Sequence, residues 1–476
     1  MKMPKKGLSR DEVARRLEEY RGGDLNWKEG RAFGFTYDPG EEIQAVIKEA
    51  YMSFLSENTL YADVYPSLLA LENDVVAMAV NHLGGDEQTS GNFTAGGTES
   101  NMLTVKTARD YMAVKKPHIT EPEVILPDTA HGSLHKAIKF LGLKKKIVPV
   151  DRNTFRADVD ATRNAITPNT IMLIGSATSF AHGVVDPIRE LGDLALEHDL
   201  LLHVDGCIGA FILPYFKRLG VDVPDFDLSV PGVTSISMDL HKFAYAAKGA
   251  SVILYKNKDL RRFQLYACAE WTGYTHINTT LLSSKTAGPL AAAWAVLNYI
   301  GDEGYLERFR QVLESRNKII QAIDEIEELF IEGRPDTNML AIASDTINVY
   351  ALWDELKDCG WHLQAQFGYK DTRKHLHISV MIGNTKWVKD FIRDLKTCVE
   401  RAKHADLDRV AEETRAISSD LKPEDLNLET FFKFIQVAGV DGGLPDRWGK
   451  INEMMNALPT NQREWLMIEY VNMLYR

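Results

Sequence analysis

Between about Leu68 and Tyr299 the chain alternates short Leu-rich or β-branched runs with longer segments of helical spacing. Four runs, Ile171–Gly175, Leu200–Asp205, Thr234–Met238 and Ser251–Tyr255, are apolar without strict alternation, which predicts strands covered on both faces. Buried strands alternating with helices predict an α/β body on a mostly parallel sheet, here the large domain, 68–300. Before it, residues 1–67 form a polar N-terminal arm with a first helix over Glu41–Leu55, where Ile43, Val46, Ile47 and Ala50 share a face. After Gly301 a charged helix, Tyr305–Leu329, leads into a smaller α+β domain, 301–405, with strand-like segments at Ile342–Ala343 and His375–Met381. Residues 406–476 are a polar helical tail that ends in an apolar stripe of Leu466, Tyr470, Met473 and Leu474, read as packing.

Composition narrows the partners. The 476 residues are 45% hydrophobic and 26% charged, as expected of a folded, enzyme-sized protein. With 67 acidic against 55 basic side chains the net charge is -12, which argues against a nucleic-acid partner. Cys207, Cys268, Cys359 and Cys398 show no C-x-x-C spacing, so neither a disulfide framework nor a cysteine zinc site is expected, and the compartment is reducing. No run approaches the roughly 18 to 20 apolar residues of a spanning helix. Lys2, Lys5 and Lys6 precede a charged stretch rather than the apolar core of a signal peptide. The expectation is a soluble, cytoplasmic protein with no integral membrane anchor.

Four features bear on chemistry. In Ser235-Ile-Ser-Met-Asp-Leu-His-Lys, a strand delivers Asp239, His241 and Lys242 into a loop. A lysine there can form a Schiff base if desolvation lowers its pKa from about 10.4, the plain alternative being a solvated lysine. Asp205 ends a buried strand, where α/β proteins bind ligands; it can pair with the pyridinium of pyridoxal phosphate (PLP) or cap the next segment. His203, two residues earlier on the same face, either supports it or packs. Thr94-Ala-Gly-Gly-Thr-Glu-Ser-Asn opens a helix whose Gly97 and Thr98 suit a phosphate monoester, although Thr98 could be a simple N-cap. His131, after the run Val124–Pro127, can stack on an aromatic ring or be held by local hydrogen bonds. Anion loop, stacking histidine, pyridinium aspartate and imine lysine occur together in chain order, and that joint occurrence carries the functional reading. His375-Leu-His377 could place two imidazoles on one strand face, but no cysteine or carboxylate cluster lies beside them, and no metal is expected.

These residues resemble the PLP-dependent group II decarboxylase superfamily and, within it, the sphingosine-1-phosphate lyase family, from about Phe33 to Arg401. The most specific pieces are Gly232 to Gly249 around His241-Lys242, Phe180-Ala-His-Gly-Val-Val-Asp-Pro and His203-Val-Asp-Gly-Cys-Ile-Gly-Ala-Phe. The second piece and Lys248 set lyases apart from amino-acid α-decarboxylases, the alternative reading. The resemblance implies PLP-dependent transferase fold type I, aspartate aminotransferase-like, and a homodimer with shared active sites. It implies that Lys242 holds the cofactor, Asp205 faces its ring nitrogen, His131 stacks on it, and Gly97, Thr98 and His241 hold its phosphate. Ser284 matches the position with which the partner subunit completes that phosphate site. Tyr37, Asn58 and Lys248 match substrate positions, with Lys248, Tyr37 or Lys242 serving as the catalytic base. The implied substrate is a small amphiphilic phosphate met at a membrane surface. Tyr61 stands where the family usually has histidine, and its Tyr-Gly-containing C-terminal segment finds no match in Asp406–Arg476, so phosphate binding and the lid are expected to differ.

Overall fold

Seven strands form one sheet in the computed structural model, which describes residues 2–61, 63–419, 421–422, 425–437 and 447–475. They are β1 (Ser90–Thr94), β2 (Glu123–Pro127), β3 (Lys144–Val148), β4 (Thr170–Ser176), β5 (Leu201–Asp205), β6 (Val233–Met238) and β7 (Ser251–Tyr255), in the order β1-β7-β6-β5-β4-β2-β3. Only β7 runs against its neighbours. Alternate side chains of β7 go to opposite cores: Val252 and Leu254 to one, Ile253 and Tyr255 to the other. This is why the run reads as continuously apolar. Each such side chain, fully buried, contributes about 1.5–3 kcal/mol.

β1 and β3 lie outside the four predicted runs. β1 is polar, yet fully buried. Its Asn92 donates to Glu72 at 3.0 Å and accepts from Gln264 at 3.1 Å, and a Cβ at Gly91 would lie 2.3 Å from the Ile253 carbonyl oxygen. β3 is an edge strand whose lysines, Lys144 to Lys146, discourage pairing with another chain.

A short hairpin, β8 (Tyr266–Cys268) and β9 (His276–Asn278), precedes the helix Gly288–Asp324. The charged helix expected from Tyr305 is the second part of this one, which breaks at Gly301 (φ 65°, ψ 170°), a conformation open mainly to glycine. Beyond it, β10 (Phe330–Ile331), β11 (Met339–Ala343), β12 (Gln364–Gln366) and β13 (His375–Ser379) form an antiparallel sheet in the order β10-β11-β13-β12. Leu340, Ile342, Leu376 and Ile378 pack from this sheet against the helices Val349–Asp358 and Val388–Ala402. In the tail, Val410, Phe431, Phe434, Met454, Met455, Leu458 and Leu466 form a separate cluster. The expected terminal stripe packs only in part: Leu466 is buried, whereas Met473 and Leu474 project into solvent past the end of that cluster. Residues 438–446 and Arg476 of the tail lie outside the described residues.

One buried ion pair ties the two sheets together. Arg156, after β3, donates from Nη2 to both oxygens of the Asp336 carboxylate at 2.9 and 3.0 Å and from Nη1 to the Val185 carbonyl, while Asp336 accepts from the Val185 N–H at 2.7 Å. Removing the guanidinium strands a buried carboxylate. Arg156→Met is expected to cost about 2–3 kcal/mol in urea denaturation, and Arg156→Lys, which has one nitrogen where arginine uses two to reach Asp336 and the Val185 carbonyl, is expected to recover only part of it.

Candidate active site

The C-terminal ends of β4, β5 and β6 face the start of the helix Gly97–Lys115 across a cavity of about 610 Å³. Parallel strands all end on one edge, so the loops after them meet there. The cavity is lined by Gly97, Thr98, His131, Asp205, His241, Lys242 and Tyr37, seven of the positions singled out in the sequence.

Asp205 is buried, and its carboxylate is held from two sides. Asn101 Nδ2 donates to Oδ2 at 3.0 Å and the Cys207 N–H donates to Oδ1 at 3.1 Å. Burial by itself would raise the carboxyl, but His131, His203, the Cys207 side chain and Lys242 outweigh it and hold the group below its ordinary value. Asp205 therefore stays ionised and available to a cation in the cavity.

His203 does not line the cavity, and its contacts fit the support reading. It shares the face of Asp205 but sits one step deeper, donating from Nε2 to Asn101 Oδ1 at 3.2 Å and accepting at Nδ1 from Ser235 Oγ at 3.0 Å. Burial pushes its pKa down to about 4, so it acts as a neutral strut beneath Asn101. Asn101 was missed in the sequence. It lies one helical turn after Gly97, a spacing that points both toward the same cavity wall.

Lys242 Nζ lies 3.1 Å from Asp239 Oδ2. Burial favours the neutral amine, but Asp239, Cys207, Tyr37 and Asp205 together win, and the pKa is raised. This corrects the expectation of a lowered value: the loop that delivers the lysine also delivers a carboxylate three residues before it. His241 accepts from the Ala250 N–H at Nδ1, 3.1 Å, and its Nε2 faces Asp239 at 3.5 Å. Burial lowers its pKa, so the ring is a neutral donor.

The helix start forms a cradle. Thr98 is in its first turn rather than at its cap, which is Gly96 with φ 154° and no capping side chain. A Cβ at Gly97 would lie 2.5 Å from Cys207 Sγ and 2.9 Å from the Asp239 carboxylate, so only glycine leaves this turn open. Glu99 steadies the cradle, accepting from the Ala95 N–H at 2.6 Å and the Leu281 N–H at 2.9 Å. His131 caps the helix Gly132–Phe140, with Nδ1 accepting from Ser133 N–H at 3.2 Å and 2.8 Å from Ser133 Oγ, and turns its ring into the cavity. It is thus held by local hydrogen bonds, one of the two readings the sequence allowed, with its ring at the cavity wall. An open helix start, a flanking ring, an ionised buried carboxylate and an amine in one cavity fit pyridoxal phosphate.

The remaining expected residues form two groups. Lys248 lies with its Nζ 4.9 Å from the Tyr37 ring, beside a second cavity of about 300 Å³ that shares Tyr37 and His241 with the first. Asn58, Ser284 and Tyr61 line neither cavity: Asn58 Nδ2 donates to Ser284 Oγ at 3.4 Å, and Tyr61, largely exposed, meets Tyr274. Yet Leu281 and Leu282, just before Ser284, do reach the cavity.

The profile of the pyridoxal-dependent decarboxylase conserved domain matches residues 25–343, and that of the C-terminal HTH domain of pyridoxal-dependent enzymes matches 412–473. The chain is 42% identical over 409 residues to sphingosine-1-phosphate lyase of Oryza sativa subsp. japonica, covering 84% of this chain and 74% of that one. The structure of a Burkholderia pseudomallei sphingosine-1-phosphate lyase superposes with a TM-score of 0.82 at 32% identity, covering 93% of this chain and 98% of that one. A Lactobacillus brevis glutamate decarboxylase shares the fold at a TM-score of 0.75 but only 17% identity, over 85% of this chain and 96% of that one. The chain belongs to the sphingosine-1-phosphate lyase family of pyridoxal-dependent enzymes, and its cofactor is pyridoxal phosphate.

Proposed function

We propose that the protein cleaves the C2–C3 bond of sphingosine-1-phosphate and related sphingoid-base phosphates to a long-chain aldehyde and phosphoethanolamine. The observation that carries this reading is the convergence of Asp205, Lys242 and the Gly97 helix start on one cavity, in a chain of the lyase family. The α-decarboxylase alternative would use the same cofactor residues and differ in the bond aligned for cleavage.

Pyridoxal phosphate, when bound, supplies an electrophilic carbon for an amine and a ring that accepts an electron pair from the breaking bond. In this reading Lys242 is the amine that holds it, Asp205 keeps its ring nitrogen protonated, and His131 packs on its face. Gly97, Thr98 and His241 hold its phosphate. Tyr37 holds the substrate phosphate, with Asn58 and Tyr61 at the outer edge, and Lys248 lies at the hydroxyl end of the substrate. Tyr61 offers a neutral hydroxyl where the family has an imidazole.

For the proton at the C3 hydroxyl, the three candidate bases differ. Burial raises the Tyr37 phenol and the carboxylates around Lys242 raise that amine, whereas burial and the Lys242 ammonium lower Lys248. Lys248 is thus the group that gives up its proton most readily, and we assign it as the base.

We also infer a homodimer. The helix Arg10–Tyr20 buries none of its residues, and Val13, Leu17, Tyr20, Trp271, Tyr274, Leu281 and Leu282 are exposed in the single chain. Ser284 beside them would complete the partner's phosphate site. Among the described residues no helix is long and apolar enough to cross a membrane, and Cys207, Cys268, Cys359 and Cys398 are free thiols. We therefore place the enzyme in the cytoplasm, meeting its substrate at a membrane surface.

Incubation with sphingosine-1-phosphate is expected to yield aldehyde and phosphoethanolamine, with none from Lys242→Ala; carbon dioxide from an amino acid instead would select the decarboxylase. Turnover is expected to rise with pH as Lys248 loses its proton, with a midpoint below the ordinary lysine value of about 10.4. Lys248→Arg should abolish that rise and cost about 10²–10⁴-fold in kcat; an unchanged profile would return the role to Tyr37 or Lys242. Co-expressed Lys242→Ala and Ser284→Arg chains, each inactive alone, are expected to regain about a quarter of wild-type activity through mixed dimers. No recovery would mean that Ser284 serves its own chain.

A further inference from the structure

Away from the cavity, three buried side chains with ligating atoms face one another without adequate partners. His182 lies in the loop after β4, Glu332 follows β10, and His375 opens β13. Their side chains are 2%, 2% and 3% exposed, and one ligating atom of each lies within 4.8 Å of the others. Among the described residues this is the one such group. His182 Nε2 is 3.4 Å and His375 Nδ1 3.6 Å from the same oxygen, Glu332 Oε2. Both nitrogens of His182, both oxygens of Glu332 and His375 Nε2 lack a hydrogen-bond partner. Arg373, half exposed, comes only to 3.9 Å of Glu332 Oε1. A buried carboxylate left so poorly compensated is costly, and native proteins avoid it.

We propose that His182, Glu332 and His375 bind a divalent transition-metal ion of the zinc class. A tetrahedral ion with bonds of about 2.1 Å holds its ligands about 3.4 Å apart, close to the two separations found here. Two imidazoles and one carboxylate suit zinc and not magnesium or calcium, which take oxygen ligands. His375 Nδ1 also lies 3.2 Å from the Arg373 carbonyl. The ring presents Nδ1 to the ion or, with its Nδ1–H given to that carbonyl, Nε2. Phe155 stacks on His182 at 3.9 Å between centroids and fixes that ring from behind. The pair expected from the sequence is divided: His377 turns to Ser379 Oγ at 3.2 Å and to the Phe180 ring, leaving His375 alone in the cluster. Its true companions lie far off in the chain, which is why no metal was expected.

The ion would join the loop after β4 to the small sheet. That loop also carries Thr178 and Phe180, which line the catalytic cavity. The role is therefore a structural clamp behind the active site.

The test uses the pyridoxal-loaded protein, stripped with a chelator and titrated with Zn²⁺ and with Co²⁺. The expected result is one ion per chain by elemental analysis, a rise of several degrees in thermal midpoint, and Co²⁺ bands of a tetrahedral nitrogen–oxygen site. Glu332→Gln and His375→Gln should each lose the ion while keeping the cofactor absorbance. No uptake by wild type at tens of micromolar metal, or undiminished uptake by the folded variants, would overturn the site. Should the variants not fold, the wild-type Co²⁺ spectrum decides, since a thiolate charge-transfer band would assign the ion to cysteine and overturn it equally.

Discussion

A carboxylate kept ionised inside the protein is the constraint around which the large domain is arranged. Asp205 stays charged among cationic and hydrogen-bonding neighbours, with Asn101 and the Cys207 N–H meeting its two oxygens. Asn101 in turn spends its second amide hydrogen on Ser133 and its oxygen on His203 and Ser237. The neutral His203 leans on Ser235, which meets Thr104. A polar ladder therefore runs through the middle of an otherwise apolar sheet, with every rung satisfied. Such networks are rigid because each member has no better alternative.

Lys242 and Asp205 form a complementary problem. The carboxylates that keep the cavity negative also favour the protonated form of the lysine. A cationic ring nitrogen facing Asp205 would relieve part of that field. Each of the two groups thus favours the charged form of the other, which binds the state of Lys242 to that of Asp205.

Much of this was legible in the sequence where the relevant residues are neighbours in the chain. β4, β5 and β7 could be read because covering both faces makes a run largely apolar, and Asp205, His241 and Lys242 because they end or closely follow strands. β1 could not be read: its Asn92 is buried by Glu72 and Gln264, which come from elsewhere in the chain. The same reason hid Asn101, and separated His375 from His182 and Glu332. His203 was legible as a face of a strand but not as a depth, since periodicity gives direction and not distance from the cavity. The terminal stripe was overread because helical spacing does not say where the neighbouring helices stop.

Glu99 gives the cradle a mechanical character. One carboxylate grips the Ala95 N–H at the mouth of the helix and the Leu281 N–H in the loop that carries the exposed Leu281 and Leu282. The two segments are therefore not independently positioned. Whatever settles on that loop from outside pulls, through a single side chain, on the amides that would meet an anion, and an anion seated there pulls back on the loop. By reciprocity the surface and the cradle share one free energy, so covering the one and filling the other must favour or oppose each other to the same degree.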